Sequence, residues 1–305
     1  MAPDPSAFDP STFDFSVVVT CYQRTQFLPD AMASTRLAIL RARDHGLRAE
    51  MVVVADLAGP PPKLLPTGET MLAGSFPKMG DAMWAGISAS RGRWVVFLDD
   101  DDTMVPDKLV RLAEAVSDHP TATYLHNRWA WAWDWEMNRR KERLRKERLH
   151  RRQRARSVGI PPFVPFLRHY DVDVNASSIA VLRRVLVEDA SAETIRRVVT
   201  GPDVVLAWCA TASRERCGMV GVEDVLTLRR RHSANAGRLD RTTRRGDLID
   251  QYRRMETSSP TPLGRAYAKH RSDCFEAGTW KGLLGSVRCV SPSLVIRALL
   301  ASIRP

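Results

Sequence analysis

No apolar run in the sequence is long enough to cross a bilayer as a helix, which takes about 20 residues. No CxxC pair occurs either. The five cysteines, Cys21, Cys209, Cys217, Cys274 and Cys289, are odd in number and scattered, so the expectation is reduced thiols in a cytoplasmic protein rather than a disulfide framework. Neither GxGxxG nor GxxxxGKS is present, so no glycine-rich nest of backbone amides stands ready for phosphates. The amino terminus, "MAPDPSAFDPSTFDF", is acidic and proline-rich, unlike a signal peptide. Zinc-finger, homeodomain and RNA-recognition signatures are missing, which counts against nucleic acid as a partner. There are no internal repeats.

What is present is an ordinary globular composition over 305 residues, 44% hydrophobic and 27% charged, enough for one principal domain with an elaborated C-terminal part. The net charge is +11, and much of it comes from "RRKERLRKERLHRRQRAR", Arg139 to Arg156. Such a stretch suits nucleic acid, an anionic lipid surface or a phosphorylated substrate. A solvated helix with Glu142 and Glu147 set among the bases fits it as well.

"DFSVVVTCYQR" reads as a buried strand over Phe15 to Thr20, because its β-branched run lacks polar alternation. A helix is expected from about Pro29, with Met32, Leu37 and Leu40 as its apolar face and "DHG" at 44–46 as its end. "AEMVVVAD" gives a second buried strand ending at Asp56, and the prolines at 60–62 force a loop. "KMGDAMWAGISAS" is helix-like and "GRWVVFL" is a third buried strand. Pro106 opens the next helix, with Leu109, Leu112 and Val116 on one face. This alternation predicts an α/β fold with a mostly parallel sheet and helices on both faces. Trp129, Trp131, Trp133 and Trp135 then stand at period two, on one face of a strand. A packed sheet face and an aromatic wall for a sugar or lipid acceptor both fit that pattern. The basic segment that follows reads as an inserted helix, broken by "GIPPFVPF" at 159–166, and "NASSIAVLRRVL" resumes strand then helix.

In an open parallel sheet, ligands bind beyond the carboxyl ends of the strands. Those ends carry Thr20-Cys21-Tyr22, Asp56 and the run Asp99–Asp102 in "FLDDDDTMVPDKL". Four adjacent carboxylates repel one another unless a cation joins them. A capping turn before Pro106 explains one aspartate but not four. Carboxylate oxygens can hold Mg²⁺ or Mn²⁺, whose remaining coordination a diphosphate fills.

"FSVVVTCYQRTQFLPDAM", "MVVVAD", "AGISASRGRWVVFLDDDDTMVPDKL", "NASSIAVLRR" and "LTLRRRHSANAG" occur in the order seen in family 2 glycosyltransferases of the GT-A, Rossmann-like fold. The chain resembles that family from Phe15 to Gly237, most specifically from Ala85 to Leu109. The resemblance implies an inverting, metal-assisted transfer from a nucleotide-sugar, with a UDP-sugar first among donors, to a glycan, lipid-linked or small-molecule acceptor. It implies base contacts from Tyr22 and Asp56, although the family usually has two acids after the second strand and the first here is Ala55. Thr20, Arg24 and Arg231 fall among its donor-binding positions. It places Asp100 near the ribose and Asp101 and Asp102 on the metal, Asp99 merely flanking them. His232 matches a histidine that some relatives hold near metal or diphosphate, but a surface histidine in a basic loop reads equally well. Arg229, Arg230 and Arg231 are candidates to neutralise the leaving diphosphate.

The resemblance further implies a catalytic base at Asp203. The "ED" pair that opens a helix in the family is Pro202-Asp203 here, and an N-terminal helix charge is the plainer account of Asp203. The implied organisation is a tail at 1–14, a nucleotide-sugar-binding half at 15–120 and an acceptor-side half at 121–237. A basic helical insertion lies at about 136–157, and a helical extension at 238–305. The Arg139–Arg156 run and the C-terminal "SPSLVIRALLASIRP" are the segments expected to meet the cytosolic face of an anionic membrane. A catalytically degenerate binding protein of the same fold is the alternative that Ala55 and Pro202 raise. A nucleotidyltransferase is opposed by "TCYQRTQF", which has no glycine.

Overall fold

The computed structural model describes residues 13–22, 25–56, 69–132, 157–160, 175–199, 201–213, 218–230, 232 and 241–277. Strand β1 (Phe13–Tyr22) and strand β2 (Ala49–Asp56) pair in parallel, with Val18 opposite Val52 and Tyr22 opposite Asp56. Their valines are fully buried because both faces of the sheet are covered. Glu50 interrupts the apolar run and is buried too. It accepts hydrogen bonds from Ser16 Oγ at 2.6 Å, from the Arg91 backbone at 2.7 Å and from the Arg91 guanidinium at 2.6 and 2.9 Å. A buried carboxylate is tolerated there because donors from three directions replace its water.

Helix α1 (Leu28–Asp44) starts and ends as expected, but its buried stripe differs. Leu37 and Leu40 are 55% and 50% exposed, while Ala31, Thr35, Ala38 and Ala42 face inward. Met32 and Leu37 lie five residues apart, about 140° around a helix of 3.6 residues per turn, so they cannot share a stripe. The i, i+4, i+7, i+11 series of small residues is what lets α1 lie close against β1 and β2. The prolines at 60–62 lie outside the described residues. An edge strand, β3 (Glu69–Gly74), extends the sheet beyond β2 in parallel, and nothing in the sequence pattern marked it.

Helix α2 (Met79–Ala89) leads into β4 (Gly92–Asp99), which returns to the other side of β1. The chain steps one way from β1 to β2 and the opposite way from β3 to β4. Right-handed crossovers therefore put α1 and α2 on opposite faces. The β1/β4 boundary is the point at which strand order reverses, and crevices form at such points. A side chain at Gly86 would come within 2.4 Å of Val18 Cγ1, so its lack of a Cβ sets how closely α2 approaches the sheet.

Beyond β4 come β5 (Thr103–Met104), α3 (Lys108–Asp118), β6 (Tyr124–Ala132), β7 (Ser157–Ile160) and β8 (Ile179–Leu182). Then follow α4 (Arg183–Leu186), α5 (Asp189–Arg196), α6 (Pro202–Ala212), β9 (Met219–Arg230), α7 (Arg241–Ser258) and α8 (Pro262–Ala277). The sheet runs β3-β2-β1-β4-β8-β6-β9-β5, with β7 also on β9. β8 is antiparallel to β4 and β6, and β5 and β7 are antiparallel to β9, while β6 and β9 are parallel to each other. Six strands, β1–β4, β6 and β9, thus point the same way, the mostly parallel α/β sheet that the sequence predicts.

Ser157, assigned to the end of an inserted helix, opens strand β7 instead, with Gly159 and Ile160 of the supposed breaker. Antiparallel pairing with β9 supplies the backbone partners that make it a strand. Residues 133–156 lie outside the described residues, and with them the whole Arg139–Arg156 run. The C-terminal extension is helical over α7 and α8, and α8 packs on α6. That cover is required, since α6 is buried on every side from Val204 to Ala212. The tail "SPSLVIRALLASIRP" is outside the described residues. Among those described, no helix is long and apolar enough to cross a membrane.

Candidate active site

The parallel strands β1, β2, β4, β6 and β9 all end at one edge of the sheet, and the candidate residues gather there. Asp99 closes β4. Asp100, Asp101 and Asp102 form the turn that leads to β5 and are all buried. The Asp100 amide donates to the Thr20 carbonyl at 3.0 Å, and Thr20 Oγ1 donates to Asp99 Oδ1 at 3.5 Å, fastening the turn to β1. On the far side, the Arg230 amide donates to Asp102 Oδ1 at 3.1 Å. The aspartate run is thus clamped between the ends of β1 and β9.

Asp99, Asp101 and Asp102 offer one ligand atom each, all within 4.8 Å of one another. Asp99, expected only to flank the group, belongs to it, whereas Asp100 stands outside the triad. Removal from water pushes the Asp99 carboxyl well above its usual value, and the charges of Asp101, Asp102, Asp100 and Asp203 push it in the same direction. Asp102 is raised to about 6, first by burial and then by Asp101, against a hydrogen bond from Ser177, the charge of Arg229 and the Arg230 amide. A crowded, all-oxygen set of carboxylates is the donor chemistry that suits Mg²⁺ or Mn²⁺. His232 Nε2 lies 2.9 Å from Asp101 Oδ2. At that distance the imidazole is within reach to orient the Asp101 carboxylate or to offer a nitrogen beside its oxygens.

The segment holding His232 is pinned by α1. The Phe27 and His232 rings are 4.7 Å apart, the Arg230 guanidinium sits 4.5 Å from the Phe27 ring, and Arg230 pairs with Asp30 at 2.6 Å. Arg229 lies instead against Trp129 and Trp131, 4.6 and 4.8 Å from their rings. Trp131 is 38% exposed and Trp129 is half-buried, so these two rings do not form a packed core face. Trp133 and Trp135 lie outside the described residues.

Asp203 stands in the first turn of α6, after Gly201 in the left-handed region at φ 63° and Pro202. Its Oδ2 accepts from the Asn175 amide at 3.0 Å, and it is close enough to Asp99 to raise that carboxyl. Asn175 has φ 72°, which asparagine tolerates better than other side-chain-bearing residues. Its side-chain oxygen accepts from the Ser177 amide at 3.2 Å. Ser177 is a hub. Its hydroxyl accepts from the Asp99 amide at 3.0 Å and bonds to Asp102. Its carbonyl accepts from Lys108 Nζ at 2.5 Å and from Thr227 Oγ1 at 2.9 Å. Lys108 is fully buried, and burial lowers its pKa to about 7 despite the pull of Asp102.

Neither Asn175, Ser177 nor Lys108 stands out as functional in the sequence. The signal available for Lys108 was its position on the inward stripe of α3, four residues before Leu112. Asp56 ends β2, half-buried, and accepts a long 3.4 Å bond from the Phe76 amide. Tyr22 is beside it in register. Arg24 and Arg231 lie outside the described residues.

Residues 77–188 match the sequence model of Glycosyl transferase family 2. The succinoglycan biosynthesis protein ExoO of Rhizobium meliloti (strain 1021) is 34% identical over 107 residues, 33% of this chain and 29% of that protein. The match therefore spans under a third of that relative's length. Among solved structures, S. aureus TarS 1–349 in complex with UDP-GlcNAc has a TM-score of 0.53 at 12% identity, over 93% of this chain and 83% of that one. The mannosyltransferase PcManGT of Pyrobaculum calidifontis, with GDP-Man and Mn²⁺, has a TM-score of 0.51 at 15% identity, over 99% and 81%. Glucosyl-3-phosphoglycerate synthase of Mycobacterium tuberculosis, with Mg²⁺ and UDP, gives 0.50 at 12% identity, over 85% and 84%. At these identities the likeness is one of fold, the GT-A architecture.

Proposed function

We propose that this chain, whose residues 77–188 match the family 2 glycosyltransferase model, moves a sugar from a nucleotide-diphosphate donor to an acceptor hydroxyl in one inverting displacement. The observation that carries the proposal is the carboxylate triad Asp99, Asp101 and Asp102, its ligand atoms within 4.8 Å of one another at the strand-order reversal, with Asp203 beside it. The nucleotide-binding neighbours named above support a nucleotide-sugar as donor, with UDP-sugars tried first.

On this reading the ends of β1 and β2, which carry Thr20, Tyr22 and Asp56, take the base and ribose, with Asp100 tied to Thr20 through its amide. Mg²⁺ or Mn²⁺, when bound by Asp101 and Asp102 with Asp99 or His232, offsets negative charge on the diphosphate and favours its departure. Asp203 accepts the proton of the attacking hydroxyl as that oxygen bonds to the anomeric carbon. The bond from anomeric carbon to phosphate oxygen breaks, and the electron pair leaves with the nucleoside diphosphate. Asp203 suits this role because the residue is only partly buried and its carboxylate is aimed by the Asn175 amide. Arg229, at the carboxyl end of β9, adds positive charge on the departing side.

The test is calorimetry with UDP-, GDP- and dTDP-sugars, with and without Mn²⁺. Metal-dependent binding of one nucleotide class is the expected result. Absence of binding to all three under both conditions would overturn the proposal.

A further inference from the structure

Asp203 and the aspartate run belong to different elements, α6 and the end of β4, yet one short turn joins them. Asn175 and the 3₁₀ turn Ala176–Ser178 lie between them, immediately before β8. Asp203 Oδ2 accepts from the Asn175 amide at 3.0 Å, Asn175 Oδ1 from the Ser177 amide at 3.2 Å, and Ser177 Oγ from the Asp99 amide at 3.0 Å. The one proton of the Ser177 hydroxyl goes to Asp102. Three bonds in series thus lead from the carboxylate on α6 to two members of the triad. Both ends are braced. On the triad side the Ser177 carbonyl is held by Lys108 Nζ at 2.5 Å and by Thr227 Oγ1 at 2.9 Å, and all three residues are fully buried. On the other side Tyr267 Oη donates to the Val204 carbonyl at 3.4 Å, and a Cβ at Gly201 would stand 3.3 Å from Leu248 Cδ2. The first turn of α6 is therefore backed by α7 and α8 and cannot retreat from the crevice.

We infer that Asn175 and Ser177 are positioning residues, forming a strut that sets the spacing between the carboxylate triad and the base Asp203. A single displacement puts the attacking oxygen, the anomeric carbon and the departing phosphate oxygen in one line. The base has to reach one end of that line while the triad serves the other, so the span between them must match it to a fraction of an ångström. Left to themselves, the like charges of Asp99 and Asp203 would push the two carboxylates apart. The bond from the Ser177 amide to Asn175 Oδ1 is an ordinary cap for such a turn. Capping requires neither the grip on Asp203 at one end nor the grip on Asp99 at the other. This inference rests on the glycosyltransferase reading, since it assigns roles within that same site. Neither residue touches the reacting atoms, and both act through groups that do.

The assay is hydrolysis, by the full chain with Mn²⁺, of whichever UDP-, GDP- or dTDP-sugar binds. Water takes the place of the acceptor and gives its proton to Asp203, and the released nucleoside diphosphate is read. Asn175→Gly keeps a backbone at ease with φ 72° and removes the capping oxygen. Its kcat should fall about tenfold, while the KM for the donor and Mn²⁺-dependent nucleotide binding hold. Ser177→Ala cuts the strut at the triad, so kcat should fall as far and the Mn²⁺ needed for half-maximal nucleotide binding should rise about tenfold. In an Asp203→Asn chain at saturating Mn²⁺, neither change should lower the residual rate further, because the group being aimed is gone. Variants that melt earlier but keep the wild-type kcat would overturn the inference and leave the turn as packing alone. Rate losses as large without the Asp203 carboxylate as with it would overturn it too. Wild type that binds none of the three nucleotide-sugars would instead sink the function on which the inference stands.

Discussion

Replacing Asp102 with asparagine should stabilise the metal-free chain at neutral pH. Burial and the charge of Asp101 raise this carboxyl from 3.8 to about 6. A carboxyl whose folded pKa exceeds its unfolded one holds its proton more tightly in the folded chain. Its contribution is therefore complete below about pH 4 and is lost as pH rises through about 6. At about 1.4 kcal/mol per pKa unit, the loss comes to about 3 kcal/mol. Asparagine has no proton to lose, so the stability of Asp102→Asn relative to wild type should rise by about 3 kcal/mol between pH 4 and pH 7.5. Loss of a hydrogen bond to Ser177 or to the Arg230 amide adds an offset, but that offset does not vary over this range. For a chain of this size the change is about 5 °C in Tm. The assay is thermal unfolding of both proteins at pH steps from 4 to 7.5, first with chelator and then with Mn²⁺. With Mn²⁺ at pH 7.5 the order should reverse, because the metal binds wild type and offsets the crowded charge that asparagine merely removes. At pH 5 Mn²⁺ should help wild type much less, since protons compete for Asp99 and Asp102. A relative stability that is flat or falling from pH 4 to 7.5 would refute the reasoning, showing that nearby cations already balance Asp102.

Asp203→Asn should reduce transfer by about 10²–10⁴-fold while leaving metal-dependent nucleotide binding intact, as single-turnover kinetics beside calorimetry would show. His232→Ala, which strips the imidazole 2.9 Å from Asp101, should raise the Mn²⁺ needed for half-maximal activity about tenfold. An unshifted metal titration would leave His232 a packing partner of Phe27 and Asp101 with no hold on the metal. Lys108→Met removes a positive charge that favours the ionised form of Asp102, so the acid limb of Mn²⁺ binding should move to higher pH. That shift should fade above pH 8, where Lys108, with its pKa at about 7, is itself neutral. Gly92→Ala should cost about 1–3 kcal/mol in urea unfolding, because the new methyl would stand 2.4 Å from the Ser16 backbone nitrogen.

The central strands were legible because burial on both faces leaves an unbroken β-branched run, and β1, β2 and β4 have little else. β3 was not, since an edge strand half open to water needs no such run and "ETMLAG" looks like loop. The face of α1 was misread because size was taken for burial: Leu37 and Leu40 point to water, whereas Ala31, Ala38 and Ala42 point inward. The acidic residues of the site were readable from their unusual density at a strand end. Their supports were not, because Ser177 and Asn175 act through backbone geometry, which an ordinary "NASS" does not advertise beyond its turn propensity. Lys108 acts from inside a helix whose other residues look like plain amphipathic pattern.

The clamp on the aspartate run has a consequence for the order in which the protein is made. Asp102 is held by the amide of Arg230, 128 residues downstream, and Arg230 reaches back 200 residues to Asp30. When the ribosome has released β1 through β4 and the turn after it, the aspartates are present at the strand end but lack their far wall. They acquire it only when β9 emerges and docks. The apolar half of the sheet can condense early from nearer contacts, whereas the site closes among the last events. A chain halted before residue 230 would carry the acidic motif without the enclosure that gives it a use.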